Sequence, residues 1–141
     1  MPNSESDALV YLFDIYPTLC GLTGVPQPAG IDGRDLTPVI QGRQPAVRDT
    51  LFLAYRDVQR AVRQGDWKLI RYPQVDVTQL FNLAEDPHEI HDIAQDPAQS
   101  ERVQSMLAVL AEQQKLWGDM QPLSVANPKP AAVDEAFFSG K

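Results

Sequence analysis

Residues 58–72, VQRAVRQGDWKLIRY, constrain the fold more than any other stretch of the chain. Two runs of strand length, 58–63 and 67–72, flank Gln64-Gly65-Asp66. A tight hairpin turn needs a residue with positive φ, and Gly65 meets that need without steric cost. The alternation has a period of two. Val58, Arg60 and Val62 oppose Gln59, Ala61 and Arg63; in the partner run, Trp67, Leu69 and Arg71 oppose Lys68, Ile70 and Tyr72. Successive strand side chains point to opposite faces, so this pattern predicts a sheet with two different faces. TLFLAYR (50–56) precedes the hairpin and TQLFNL (78–83) follows it, which predicts an antiparallel sheet of about four strands.

The best-defined helix comes next. Asp96 is a good N-cap, Pro97 fits the first helical position, and Gln99 stands where a capping box places its second member. Val103, Met106, Leu107, Leu110 and Trp117 share one face at helical spacing, and Gly118 ends the run. One such stripe covers one face of a small sheet, so the fold class over 51–118 is α+β. Residues 119–141 are rich in Pro and Ala and aperiodic; they are expected to form an extended or poorly ordered tail pinned by Phe137 and Phe138.

Residues 1–50 have a different character. ALVYLF (8–13) is a continuous apolar run that suits a strand buried on both faces of a parallel sheet. DIYPTLCGLTG follows as a short helix, with Asp14 as its cap, Pro17 in its first turn, Gly24 just past its end, and an apolar stripe of Ile15, Leu19 and Leu22. Residues 25–50 are loop-rich, apart from a turn or two of helix in DLTPVIQG. A single parallel-sheet strand and its helix have no partner strands elsewhere in the chain, as though cut from a larger sheet.

Composition excludes several functions. The net charge of −7 argues against a general attraction to nucleic acid or an anionic membrane surface. The charge is unevenly spread: 34–72 carries eight Lys/Arg against four Asp/Glu, whereas 82–101 has six acids and no Lys or Arg. A lone cysteine, Cys20, excludes an intrachain disulfide and a multi-cysteine zinc site. No run reaches the roughly 18 apolar residues of a membrane span. The start has no basic region before its apolar run, so it is not expected to be a signal peptide, and nothing assigns a compartment.

Four motifs in order, DIYPTLCGLTGVP, DGRDLTPVIQG, RAVRQGDWKLIRY and QLFNLAEDPHEIHDIAQDP, resemble the C-terminal part of the sulfatase family, over roughly residues 7–117. The resemblance implies that 1–50 is the end of an alkaline-phosphatase-like α/β catalytic domain with its connecting loops, a strand–helix remnant ahead of the α+β subdomain of 51–118. SESDALVYLFD runs into the pattern with almost no lead-in, which is expected of a cut inside a longer reading frame. Sulfatases hydrolyse sulfate esters with a formylglycine made in a C/S-x-P-S-R motif and a divalent cation, usually calcium. That motif is absent here: Cys20 lies in CGLTG and is expected to be a buried apolar residue. The chain is therefore expected to supply no cofactor ligand, metal site or catalytic residue of its own. Its expected role is to brace a catalytic domain, in cis or as one half of a two-chain enzyme, and to shape the substrate cleft.

Two clusters are candidate sites. Arg56, Gln59 and Arg60 are substrate-rim candidates, because Arg captures sulfate through paired N–H groups. The competing reading makes Arg60 and Arg63 strand-surface charges or partners of acids across the domain interface; a separate alternative is a non-catalytic module whose basic Arg56–Lys68 sheet holds sulfated or other anionic ligands. The second cluster is Glu85, Asp86, His88, Glu89, His91 and Asp92. His88 and His91 with Glu89 or Asp92 offer metal-ligating atoms, but Pro87 breaks the regularity, and the family pattern makes this stretch a structural joint. There Asp86 is expected to cap a turn and Glu89 to accept backbone or Arg hydrogen bonds. Lys68 is expected to cross the sheet surface, and Trp67 and Trp117 to lie in the core.

Overall fold

The period-two alternation forms the sheet it predicts. In the computed structural model, which describes residues 5–131, strands β1 (Thr50–Tyr55), β2 (Gln59–Gln64), β3 (Trp67–Tyr72) and β4 (Val77–Asn82) lie in the order β1-β2-β3-β4. β2 and β3 are antiparallel in the register Arg60 to Arg71, Val62 to Leu69 and Gln64 to Trp67. β3 and β4 are antiparallel with Leu69 against Leu80 and Ile70 against Gln79. Gly65 closes the β2–β3 turn at φ 56°.

Both faces of this sheet are buried. Val62, Leu69 and Leu80 are fully buried on one face, packed with Met106 and Leu110 of helix α3 (Ser100–Leu116). Ala61, Ile70 and Phe81 form a second buried cluster from the opposite set of alternating positions. A turn of 3-10 helix, Pro97–Gln99, leads into α3, and the Asp96 carboxylate accepts the Ala98 N–H at 2.9 Å. Asp96→Ala removes that acceptor and is expected to lower stability by about 1 kcal/mol in urea unfolding. Trp67 packs at the edge of the first cluster beneath the Arg102 guanidinium, whose carbon lies 4.5 Å from the ring centre. Trp117, expected in the core, is instead 37% exposed, at the C-cap just past the last residue of α3.

Residues 119–131 form no helix or strand, and contacts to the sheet hold them. Asp119 returns to β2, Arg71 Nε donates to the Leu123 carbonyl at 2.7 Å, and Leu123 packs against the α3 cluster. The Lys129 N–H donates to the Gln74 carbonyl at 2.8 Å. The physical reason lies in the register. Arg60 and Arg71 are cross-strand partners on the helix-covered face, and like charges placed opposite each other destabilise a sheet unless anionic or carbonyl oxygens neutralise them. The segment after α3 supplies oxygens to both arginines, and Asp76 pairs with Arg71 as well. Phe137 and Phe138, expected to pin the tail, lie outside the described residues.

The chain divides into two units, Met1–Leu51 and Phe52–Lys141. In the first, α1 (Ile15–Thr23) and α2 (Thr37–Ile40) form as expected, and α1 ends at Gly24 with φ 73°. The strand predicted over 8–13 does not form: residues 5–11 have no regular structure and Leu12–Asp14 is a 3-10 turn. A strand needs a neighbour for its backbone groups. Here the Tyr11 N–H goes to the Asp14 carboxylate at 2.7 Å, and the Leu9 carbonyl accepts from Arg48.

Asp14 organises this unit. Its side chain is fully buried and accepts the Arg34 N–H at 2.8 Å, the Tyr11 N–H and both terminal nitrogens of Arg48. It sits at the helix start, yet its carboxylate turns away from the helix, which has no side-chain cap. Gly33 fits beside it by having no side chain: a Cβ there would lie 2.4 Å from the Phe13 carbonyl oxygen. The buried side of α1 is Pro17, Thr18 and Cys20, not the expected stripe. Ile15, Leu19 and Leu22 are all more than half exposed, because a helix stripe is buried only where something packs on it.

Candidate functional site

The acidic and histidine cluster forms a joint whose acids are already engaged. Asp86 Oδ2 accepts the His91 N–H at 2.8 Å, as expected of a turn-capping residue. That bond, opposed by partial burial and helped by the Ile90 N–H and the nearby histidines, holds its carboxyl below the usual range. Asp92 Oδ1 accepts the N–H groups of Leu80 and Ala94 at 3.0 and 2.9 Å, tying the joint to β4. Glu89 binds neither backbone nor Arg but Lys68, whose Nζ lies 2.7 and 2.6 Å from its two oxygens. Lys68 thus pairs across the surface. Both partners are partly solvated, so Lys68→Met is expected to cost under about 1 kcal/mol, and less at 1 M salt.

His91 is 80% exposed and its Nδ1 is 3.9 Å from Asp86. Among the described residues, no group of three or more His, Cys, Asp or Glu side chains is placed to hold a metal ion. Cys20 is buried on α1. These residues do not fit a divalent cation or a formylglycine, and no chemical step runs through either group on them.

The Arg56, Gln59 and Arg60 cluster surrounds the β1–β2 turn. Val58 N–H donates to the Tyr55 carbonyl at 3.1 Å, closing the turn. Arg56 is its first central residue, with φ 47°, a left-handed conformation that costs a non-glycine residue about 1–3 kcal/mol. Its guanidinium carbon lies 5.5 Å from the centre of the exposed Tyr55 ring. Gln59 is half-buried at the start of β2.

Arg60 occupies a different position from its neighbours. It is 3% exposed, and four of the five N–H donors of its guanidinium are engaged. Nε and Nη2 reach the two oxygens of Asp119 at 2.6 and 3.0 Å, and Nη1 reaches the Arg56 and Gln59 carbonyls at 2.5 and 3.0 Å. A guanidinium so engaged supports the turn from behind. Asp119 is drawn down to about 2, chiefly by the Arg60 hydrogen bonds; burial opposes this, and Gln114, the Gln121 N–H and the Arg60 charge assist. Sequence reasoning missed Asp119. The available signal was the pairing of Arg60 with Arg71 on the helix-covered face.

Comparison with known proteins agrees with this architecture. Residues 1–116 match the family described as N-sulphoglucosamine sulphohydrolase, C-terminal. An uncharacterised protein of Haemophilus influenzae is 31% identical over 120 residues, covering 82% of this chain and 61% of that protein. An N-acetylglucosamine-6-O-sulfatase of Bacteroides thetaiotaomicron is 29% identical over 132 residues, covering 85% of this chain and 24% of that enzyme. The crystal structure of a putative sulfatase from the same bacterium superposes with a TM-score of 0.69 at 26% identity, over 83% of this chain and 27% of that one. The chain thus spans about a quarter of the length of these sulfatases. On the match over residues 1–116, it belongs to the sulfatase C-terminal family described as N-sulphoglucosamine sulphohydrolase, C-terminal.

Proposed function

We propose that this chain braces the catalytic α/β domain of a sulfatase and shapes the mouth of its substrate cleft, without carrying the chemistry itself. The observation that carries this reading is the outward apolar face of the Met1–Leu51 unit. Leu12, Ile15, Tyr16, Leu19, Leu22 and Val25 are each more than half exposed. Contiguous apolar surface of this kind marks an interaction site. Covering it contributes roughly 1.5–3 kcal/mol for each large side chain fully buried. The catalytic domain would bring the formylglycine and the divalent cation, usually calcium, that hydrolyse the sulfate ester. This chain would bring a rim in which Arg56 and Gln59 face the substrate and Arg60 holds them from the sheet side.

The test is to translate the DNA immediately upstream of the Met1 codon in all three frames, and to purify the tagged chain from its host. A polypeptide bearing C/S-x-P-S-R is expected, either continuous with this chain or co-purifying with it; the second outcome would make the enzyme two-chained. The resulting protein is expected to hydrolyse 4-methylumbelliferyl sulfate, and residues 1–141 alone are expected not to. Absence of such a polypeptide both upstream and in the purified material would defeat the proposal.

A further inference from the structure

The C-terminal end of α3 leaves large apolar side chains in water. The helix closes in a Schellman turn: the Gly118 and Asp119 N–H groups donate to the Lys115 and Gln114 carbonyls at 3.3 and 2.9 Å, with Gly118 at φ 66°. The residue after the glycine of such a turn is commonly apolar and folds back on the helix. Here that residue is Asp119, which clamps Arg60 instead. The apolar residue comes one place later, and Met120 stands 91% exposed. Leu116 is 71% exposed and Trp117 37%, while Met106 and Leu110 of the same helix are buried. Three large apolar side chains within the five residues 116–120 make a patch that calls for a cover.

We infer that Phe137 and Phe138 of the same chain are that cover, docking on Leu116, Trp117 and Met120 as the far end of a strap that begins at Asp119. The path of the segment leads there. Asp119 is fixed on Arg60 of β2, the Leu123 carbonyl accepts from Arg71 of β3, and the Lys129 N–H is held by the Gln74 carbonyl just past β3. Arg60 and Arg71 are cross-strand partners, so these anchors stand at one end of the sheet, the end at which α3 finishes. Phe137 follows Lys129 by eight residues, a reach of up to about 26 Å, against strand spacings of about 4.8 Å. Closing so short a link costs little, because closure entropy grows only with the logarithm of its length. Phe137 and Phe138 are the only aromatic residues after Trp117. The acids just before them, Asp134 and Glu135, complement Lys115 in the last turn of α3. A phenylalanine ring also suits the Met120 thioether. The tether favours this occupant over a second copy, since a short link holds the pair near the patch at an effective concentration of order millimolar.

The experiment uses the full chain with two added cysteines, Gln121→Cys beside the patch and Ser139→Cys after the Phe pair; the native Cys20 is buried. In oxidised glutathione the two are expected to close an intrachain disulfide, read as faster migration on a non-reducing gel. A second pair, Ser105→Cys with Ser139→Cys, sets the helix cysteine 11 residues before Leu116, about 16 Å away at the rise of an α-helix, yet within reach of an undocked tail. This pair is expected to close at least about tenfold more slowly, because docking concentrates the tail at one end of α3. Adding Phe137→Ser and Phe138→Ser to the first pair is expected to bring its rate down to that of the second. A readout without added cysteines is acrylamide quenching of tryptophan fluorescence, which should rise in Phe137→Ser with Phe138→Ser as Trp117 is uncovered. Equal rates for the two cysteine pairs, a first-pair rate unchanged by the serines, or unchanged quenching would each overturn the inference. A disulfide formed mainly between chains would overturn it too, and would make a second copy the cover.

Discussion

Replacing Asp14 with alanine is expected to destabilise the Met1–Leu51 unit by on the order of 3–5 kcal/mol, the cost of leaving one member of a buried ion pair without its partner. Arg48 is 6% exposed, and without Asp14 its guanidinium keeps only the Leu9 carbonyl at 3.4 Å and the Tyr11 ring at 4.7 Å. The Tyr11 and Arg34 N–H groups lose their acceptor as well. Hydrogen exchange should read this directly, through faster exchange of the Tyr11 and Arg34 amides. Asp14→Asn retains one acceptor oxygen and is expected to cost less. The paired variant Asp14→Leu with Arg48→Met removes both charges and should recover part of the loss, because two apolar groups leave no stranded ion. If Asp14→Ala left both amides as protected as before, the carboxylate would not be what organises this unit. The pH dependence has a definite sign. Burial pushes the Asp14 carboxyl up, but the Arg48 hydrogen bonds, the Arg34 and Tyr11 amides and the Arg48 charge outweigh it and hold it below its ordinary value. Its stabilisation is therefore complete above the ordinary carboxylate range and is lost as the pH falls below it.

The elements that were legible are those whose cause is local. Gly65 and the period-two run around it specify the β2–β3 hairpin, and the observed register pairs Val62 with Leu69 on one face. Asp96 and Pro97 specify where the last helix begins, whether its first turn is 3-10 or α. Periodicity, however, shows only that a segment has an apolar side, not what covers it. Ile15, Leu19 and Leu22 form the stripe that was expected, and it faces outward. The run at 8–13 has the composition of a buried strand, but a strand is a relation between segments, and the described residues pair it with none.

Sites held together over long sequence separations were illegible for the same reason. Asp14 and Arg48 lie 34 residues apart, and Arg60 and Asp119 lie 59 apart, so no local pattern joins either pair. Arg60 read from the sequence as an exposed capturer of sulfate, because arginine usually is exposed. It is buried by a segment that carries no periodic signal at all. Arg56 shows the reverse case. Its residue type pointed to ligand contact, but its left-handed backbone and its distance from Tyr55 are visible only in three dimensions.

That buried arginine leads to the second large effect. Asp119→Ala is expected to cost on the order of 3–5 kcal/mol, because Arg60 at 3% exposure would keep only the two carbonyls bound by its Nη1. The loss should extend to the segment after α3, since Gln114 Nε2 and the Gln121 N–H also donate to the same carboxylate. Limited proteolysis near residues 119–123 would detect that release, and urea unfolding would measure the cost. Arg60→Met with Asp119→Leu should be milder than Asp119→Ala, although Arg71 would still hold the Leu123 carbonyl. Acid provides an independent readout. With Asp119 at about 2 in the folded chain against an ordinary 3.8, the pair stabilises fully above the upper value and is lost as the pH falls through the lower one. Allowing for the part of the carboxylate that water reaches, the protonation-linked share is about 1–2 kcal/mol. Stability measured between those pH values should therefore fall more steeply in the native chain than in the paired variant. Parallel curves would mean that Arg60 and Asp119 do not hold each other in solution, and that the β1–β2 turn stands without the clamp.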